Sequence, residues 1–319
     1  MRLGDSFDLF GRYRVQSKRA GHPSRLTGRW TNAMIGGVNS DVINNRLRSD
    51  PAWRGGALVN IRPALVEHRE GEFAEEHDIL YKRSHFERAP ESDEMTSDLV
   101  DVRKAAERWI GRRPHIEALF GTEVTSILEA RIGDVEKVAA LEYYVHEGGH
   151  CLGYDTTKKH RDGYFQLEGK TVWPLVYVEE LRADLLSFGM AADLAPADLA
   201  AAAFLYNILL RIGSHREGVL RDGRHPYGAI PHMLFTLLRR VGFFHIPEAS
   251  GRNGQIEIAK MDDEKILQIM RHLSNHAQAV LVESRDKSGT DAALQAAEFY
   301  RQTMEAECVD TFKSVVESA

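Results

Sequence analysis

Hydrophobic and polar positions along this chain change rhythm near residue 96. Before that point apolar residues are scattered among Gly, Arg and Asn with little helical periodicity. One stretch alternates: Ala57-Leu58-Val59-Asn60-Ile61-Arg62, following Gly55-Gly56, reads as a strand. Pro63 comes next, and proline lacks the donor that a central strand needs, so an edge position is expected. Residues 78–81 are the candidate pairing partner. Beyond residue 96 apolar positions recur at helical spacing. Thr96 is a candidate N-cap for a helix through Val102, Ala105 and Trp109. Further helices are expected from Thr122, over 135–151 with Gly153 as the stop, over 176–190, and from Pro196 to Ile212. Pro231 opens another that runs through Leu238. Two long helices, 262–284 and 290–316, complete the pattern.

This order of elements predicts a mainly α (α+β) fold. Residues 1–90 form a small β or irregular region and 91–319 a helical domain, with no repeat or low-complexity linker to sharpen the boundary. The 319 residues, 43% hydrophobic and 28% charged, are those of a soluble globular protein. A net charge of -6 gives no global reason to expect nucleic acid or an anionic membrane as partner. The first thirty residues are locally basic, which reads as a solvated arm. No apolar secretory segment stands at the start, and the most apolar window, 191–212, carries Asp193 and Asp198, as a buried helix does. Two cysteines, Cys151 and Cys308, cannot make a disulfide framework, so a cytoplasmic location is the expectation.

The chemistry lies in two strings. The first is His146-Glu147-Gly148-Gly149-His150, an HExxH pattern. Positions four apart share a helix face, so both imidazoles can reach one metal ion, and Glu147 can reach a water beside it. The second is Glu179-Glu180-Leu181-Arg182-Ala183-Asp184, on a segment that independently reads as helical. It offers a carboxylate ligand and, one turn on, a carboxylate able to orient a ligand. Zn2+ is the implied cofactor, because it favours imidazole and carboxylate donors and leaves one position open in catalytic sites. Gly148 and Gly149 each cost a helix roughly 1 kcal/mol relative to Ala, which suggests that another backbone or a substrate approaches that face. Cys151 follows His150 directly and points about 100° away from it, out of reach of the same metal.

Together the two strings resemble the gluzincin class of zinc metallopeptidases, which pair HExxH on one helix with ExxxD on a following one. The longer string is similar to the EECRAE motif of dipeptidyl peptidase III, with Leu in place of Cys and Asp in place of the last Glu. That family carries one more residue between its histidines than this chain does. The resemblance covers only the two motif helices of a shorter chain, and it implies a zincin-like catalytic core. By position it makes His146, His150 and Glu180 the metal ligands, Asp184 the group that orients a ligand histidine, and Glu179 a further supporting carboxylate. A metzincin arrangement fails on spacing: the third-ligand position would be Thr156, and Asp155 and His160 are displaced from it.

The implied reaction is hydrolysis of a peptide or amide bond, with Glu147 as general base. The donor that stabilises the oxyanion is sought in residues 222–228, read as a polar loop, with His225 and Tyr227 first and His215, Arg216 and His232 behind them. Asn60 and the expected edge strand could hold a substrate backbone by strand addition. The alternatives are the same chemistry on a non-peptide small molecule and a structural metal site, against which the intact Glu147 argues. Oligomeric state is not legible.

Overall fold

The structure, a computed structural model, describes residues 3–13, 22–31, 34–53, 58–71, 80–82, 97–153, 165–167, 170–216, 226–246, 255–282, 289–304 and 306–318. The alternating stretch becomes Asn60–Glu70 (β3), longer than its pattern and running straight through Pro63. With Leu3–Tyr13 (β1), His22–Thr31 (β2), Leu80–Lys82 (β4) and Ser97–Asp101 (β5) it makes a five-stranded sheet in the order β1-β2-β3-β5-β4. The expected edge position is therefore corrected, because β3 has β2 antiparallel on one side and β5 parallel on the other. The two partners are staggered along it: β5 covers residues 60–64 and β2 covers 64–70.

Pro63 sits one residue beyond the last β2 pair, Trp30↔Ala64. The N–H and C=O of a strand residue face the same neighbour. The Pro63 carbonyl accepts from the Thr31 hydroxyl at 3.0 Å, so its donorless nitrogen also faces the end of β2, where no ladder bond is required. Two residues back on the same side, Ile61 exchanges bonds with Ser40 Oγ (3.0 and 3.1 Å), and Val59 does so with the Asn44 amide (2.7 and 2.8 Å). Three polar side chains thus stand in for the missing strand.

Ser40 and Asn44 belong to Ser40–Ser49 (α1), a helix that the periodicity missed. It is short, its apolar anchors are Ile43 and Leu47, and Asn39 caps it by accepting from Val42 N at 2.9 Å. Residues 78–81 were expected to pair with the alternating stretch. The part that is described, β4, pairs with β5 instead, with Leu80 opposite Val100. Residues 78 and 79 and Thr96 lie outside the described residues.

The first long helix, Val102–Phe120 (α2), starts later than a Thr96 cap would place it. Residues 97–101 are drawn into β5, and Asp101 caps the helix through Arg103 N at 3.1 Å. Then come Thr122–Ile132 (α3), Val135–His150 (α4), Trp173–Leu194 (α5) and Ala197–Gly213 (α6), close to their expected spans. Pro226–Arg240 (α7) starts at Pro226, so Pro231 lies inside it, and residues 226–228 form its first turn instead of a loop. Asp263–Ala277 (α8) runs into a π turn, Gln278–Val282. The last expected helix is two, Gly289–Thr303 (α9) and Ala306–Ser318 (α10). At the end of the first, the Thr303 hydroxyl turns back onto Phe299 O at 2.9 Å.

The fold is mainly helical, with α5 at its centre and α4, α6, α7, α8 and α9 packed around it. Leu181, Leu185 and Phe188 of α5 are buried, as are nearly all positions of α6. The apolar window 191–212 is the end of α5 plus α6, and among the described residues no helix is long and apolar enough to cross a membrane.

Candidate metal centre

Asp134 starts α4 by accepting from Lys137 N at 3.0 Å, and the helix runs to His150 with the two histidines on one face. Opposite them, α5 presents Glu179, Glu180 and Asp184. The two helices approach until their backbones touch. A Cβ placed on Gly149 would lie 2.3 Å from the Ala183 carbonyl oxygen and 2.9 Å from Ala183 Cα. Gly148 is close to side chains instead, Ile43 of α1 and Met190 of α5. Ala183 is the residue before Asp184, so the contact that excludes a side chain at 149 also sets the distance between histidines and carboxylates.

The imidazoles stand edge to face, with ring centroids 4.8 Å apart and planes at 88°. Each has its inner nitrogen engaged. His146 Nδ1 lies 2.8 Å from Asp184 Oδ1, and His150 Nδ1 lies 3.2 Å from Glu179 Oε1. Their outer nitrogens converge on one carboxylate: His146 Nε2 is 3.7 Å from Glu180 Oε2, and His150 Nε2 is 3.9 Å from Glu180 Oε1. These separations are too long for hydrogen bonds. They are near the edge of a tetrahedron around zinc, about 3.3 Å for bonds of about 2.05 Å. The ligand atoms of His146, His150 and Glu180 all lie within 4.8 Å of one another. Two imidazoles and a carboxylate are a donor set that zinc takes, so the residues fit the metal.

Behind this face lies a buried polar network. Asp184, fully buried, accepts from Arg211 Nε and Nη2 (both 2.9 Å) and from Asn207 Nδ2 (2.9 Å) in addition to His146. Asn207 also donates to Glu142 at 2.7 Å. Glu142, His146 and Asp184 are close enough to form a second ligand group, but Asn207 and Arg211 occupy it as hydrogen-bond donors. Glu179 accepts from Arg182 Nε at 3.0 Å and Nη2 at 2.6 Å. Burial opposes charge on Asp184, yet Arg211 and His146 together hold its carboxyl below the usual range. Burial likewise works against charge on His146, but the hydrogen bond and charge of Asp184 win and raise its pKa to about 9.

Glu147 is half-buried beside the two histidines, and its carboxylate makes no hydrogen bond or ion pair with the described residues. The Cys151 thiol is turned back along the helix onto Glu147 O at 3.3 Å, away from the ligand nitrogens. Of the expected oxyanion donors, His225 and the side chains of Tyr227 and Arg216 lie outside the described residues. His215 bonds Ile212 O at 3.0 Å, and His232 is buried edge-on against Phe312 at 5.0 Å. Burial lowers the His232 pKa to about 4, with Lys313 and His215 adding to the effect.

Sequence reasoning did not single out Glu142, Arg182, Asn207 or Arg211. The signals were present. Glu142 lies one turn before His146, and Arg182 is inside the second string. Asn207 and Arg211 are polar positions four apart in a helix that is mostly apolar beyond its first turn, and a buried polar residue is informative in a way that a buried Leu is not.

The sequence matches no family model and no curated protein. The fold does have solved counterparts. Dipeptidyl-peptidase III from Caldithrix abyssi superposes with a TM-score of 0.62 at 13% identity, covering 98% of this chain and 58% of that one. Dipeptidyl-peptidase III from Corallococcus sp. strain EGB gives 0.54 at 15% identity, covering 98% and 60%. At such identity the likeness is one of fold. This chain spans less than two thirds of the length of either neighbour.

Proposed function

We propose that this chain is a zinc-dependent metallopeptidase that hydrolyses a peptide or amide bond. The observation that carries the reading is the convergence of two outer imidazole nitrogens on Glu180, at 3.7 and 3.9 Å, while both inner nitrogens are bound by carboxylates. The fold shared with two dipeptidyl-peptidase III structures supports a peptide as substrate class.

In this reading His146, His150 and Glu180 hold zinc, which when bound polarises a carbonyl and lowers the pKa of water. Asp184 and Glu179 fix the histidine rings. Glu147, uncommitted to any described partner, takes the proton of the attacking water and hands it to the leaving amine. His225 and Tyr227 are assigned to the oxyanion from their place in the sequence; the backbone of Tyr227 lies in the first turn of α7, which packs directly on α5.

The test is metal analysis of purified protein combined with a peptide-library screen. Glu147→Gln is expected to retain the wild-type metal content and lose turnover by at least ~100-fold, the usual contribution of general base catalysis. Retained turnover would remove Glu147 as the base. Tyr227→Phe should lower kcat without changing metal content.

A further inference from the structure

Two arginines repeat one geometry behind the two histidines. Arg211 grips Asp184 as a fork, with Nε on Oδ2 at 2.9 Å and Nη2 on Oδ1 at 2.9 Å. Arg182 grips Glu179 likewise, with Nε on Oε2 at 3.0 Å and Nη2 on Oε1 at 2.6 Å. In each pair the oxygen that takes Nη2 also takes the imidazole nitrogen: Asp184 Oδ1 for His146 and Glu179 Oε1 for His150. All four supporting residues are buried, with exposures of 2% for Arg182, 6% for Arg211, 0% for Asp184 and 5% for Glu179.

A carboxylate with one partner can swing about its last torsion. A carboxylate held bidentately by a planar guanidinium cannot, because both of its oxygens are fixed in one plane. An ionised carboxylate only accepts, so the imidazole nitrogen facing it must carry a proton, and in the neutral ring that binds a metal the other nitrogen has the lone pair. The two arms also tie different parts of the fold together. Arg211 comes from α6, so the His146 arm joins three helices. Arg182 additionally donates from Nη1 to Leu152 O at 2.6 Å, and from Nη1 and Nη2 at 3.4 and 3.5 Å to Gly149 O and His150 O. Those are carbonyls of the last turn of α4 and just past it, which have no partner inside the helix. One guanidinium therefore fixes both the carboxylate behind His150 and the backbone that carries His150.

We infer that Arg182 and Arg211 are positioning residues: each locks a carboxylate that holds one neutral, metal-binding histidine as the Nδ1–H tautomer, so that both Nε2 atoms face Glu180 as the ligand atoms. This rests on the reading of His146, His150 and Glu180 as a metal site. Neither arginine touches the metal or the substrate. Lysine could keep the charge at either position, but not the fork.

The experiment compares Arg182→Lys, Arg211→Lys and the control Arg131→Met in the full chain, loaded with zinc or cobalt. Arg131 joins α3 to Asp263 and Met261 O at the start of α8, away from both arms. Melting of the metal-free proteins reports folding, chelator competition reports zinc affinity, and the visible spectrum of bound cobalt reports ligand geometry. Both lysine variants are expected to bind zinc about 10–100-fold more weakly, with an altered cobalt band. The control should match the unsubstituted protein in affinity and spectrum even where its melting point falls. Folded lysine variants with unchanged affinity and spectrum would overturn the inference. Should a lysine variant not fold, imidazole 15N shifts of the zinc-loaded, unsubstituted protein decide: both histidines protonated at Nδ1 supports it, and an Nε2–H on either one overturns it. Failure of the metal reading looks different, since the unsubstituted protein would then bind zinc and cobalt no better than His150→Ala.

Discussion

Replacing Gly149 by alanine sets two effects of opposite sign against each other. Alanine in a helix interior is favoured over glycine by about 1 kcal/mol, so propensity alone predicts a more stable protein. The new Cβ, however, would sit 2.3 Å from Ala183 O, 2.9 Å from Ala183 Cα and 3.0 Å from Ala183 C, and ordinary contact begins near 3.4 Å. These are backbone atoms in the middle of α5, which have no rotamer to move. Relief requires α4 and α5 to separate by about 1 Å, the difference between 2.3 and 3.4 Å. Overpacking of this kind costs about 1–3 kcal/mol, and backbone against backbone belongs at the upper end. The net expectation is a loss of about 2 kcal/mol, a fall of several degrees in Tm.

The same displacement falls on the candidate metal centre, because Ala183 lies between Glu180 and Asp184. Metal sites hold ligand distances to about 0.2 Å, so a shift of about 1 Å should lower zinc affinity at least ~10-fold. Gly148→Ala is the internal control. Its Cβ meets Ile43 Cγ2 at 2.9 Å and Met190 Sδ at 3.0 Å, the ends of side chains, one of them a flexible methionine that can yield. Melting curves of the metal-free proteins and zinc titrations against a chromophoric chelator measure both quantities. If Gly149→Ala matches Gly148→Ala in stability and affinity, the close backbone approach does not set the site.

Zinc at about 100 times its Kd should add about 2.7 kcal/mol to the unsubstituted protein and raise its Tm, whereas His150→Ala should show no such shift. Zinc affinity should rise with pH by up to ~10-fold per unit below about 9, since metal must displace the Nε2 proton that the charge of Asp184 helps His146 keep; a flat profile would contradict that linkage. In the metal-free protein the same proton contributes stability that is fully present below pH 6.5, the ordinary histidine value, and is lost as pH rises through about 9. His232 acts in the opposite direction. Its pKa of about 4 means that the unfolded chain takes a proton the folded one refuses, so stability falls as pH drops from 6.5 towards 4, by up to about 3 kcal/mol. His232→Gln should flatten that acid limb in urea titrations at pH 7.5 and 5, and an unchanged limb would assign it to other groups.

The candidate site was legible because helical spacing is a local property. A spacing of four positions from His146 to His150, and of four from Glu180 to Asp184, places each pair on one face whatever the rest of the chain does. The glycines between the histidines announced a close approach, and only the three-dimensional packing could say that the partner is the backbone of Ala183. What local pattern could not supply were groups brought in from elsewhere. Arg211 and Asn207 reach Asp184 across 27 and 23 residues of sequence, and no periodicity connects them to it. The sheet failed for the same reason. Pro63 was read by a rule about ladder donors, which is correct as physics but assumes that a strand is paired along its whole length. In β3 the partners are staggered, and Thr31, Ser40 and Asn44 supply side-chain hydrogen bonds where β2 has stopped. The candidate metal face and the sheet thus share a device: a backbone or carboxylate that secondary structure alone leaves incomplete is finished by polar side chains from a distant segment. For β3 that completion allows proline inside a sheet. For Asp184 and Glu179 it aims two imidazoles at one point.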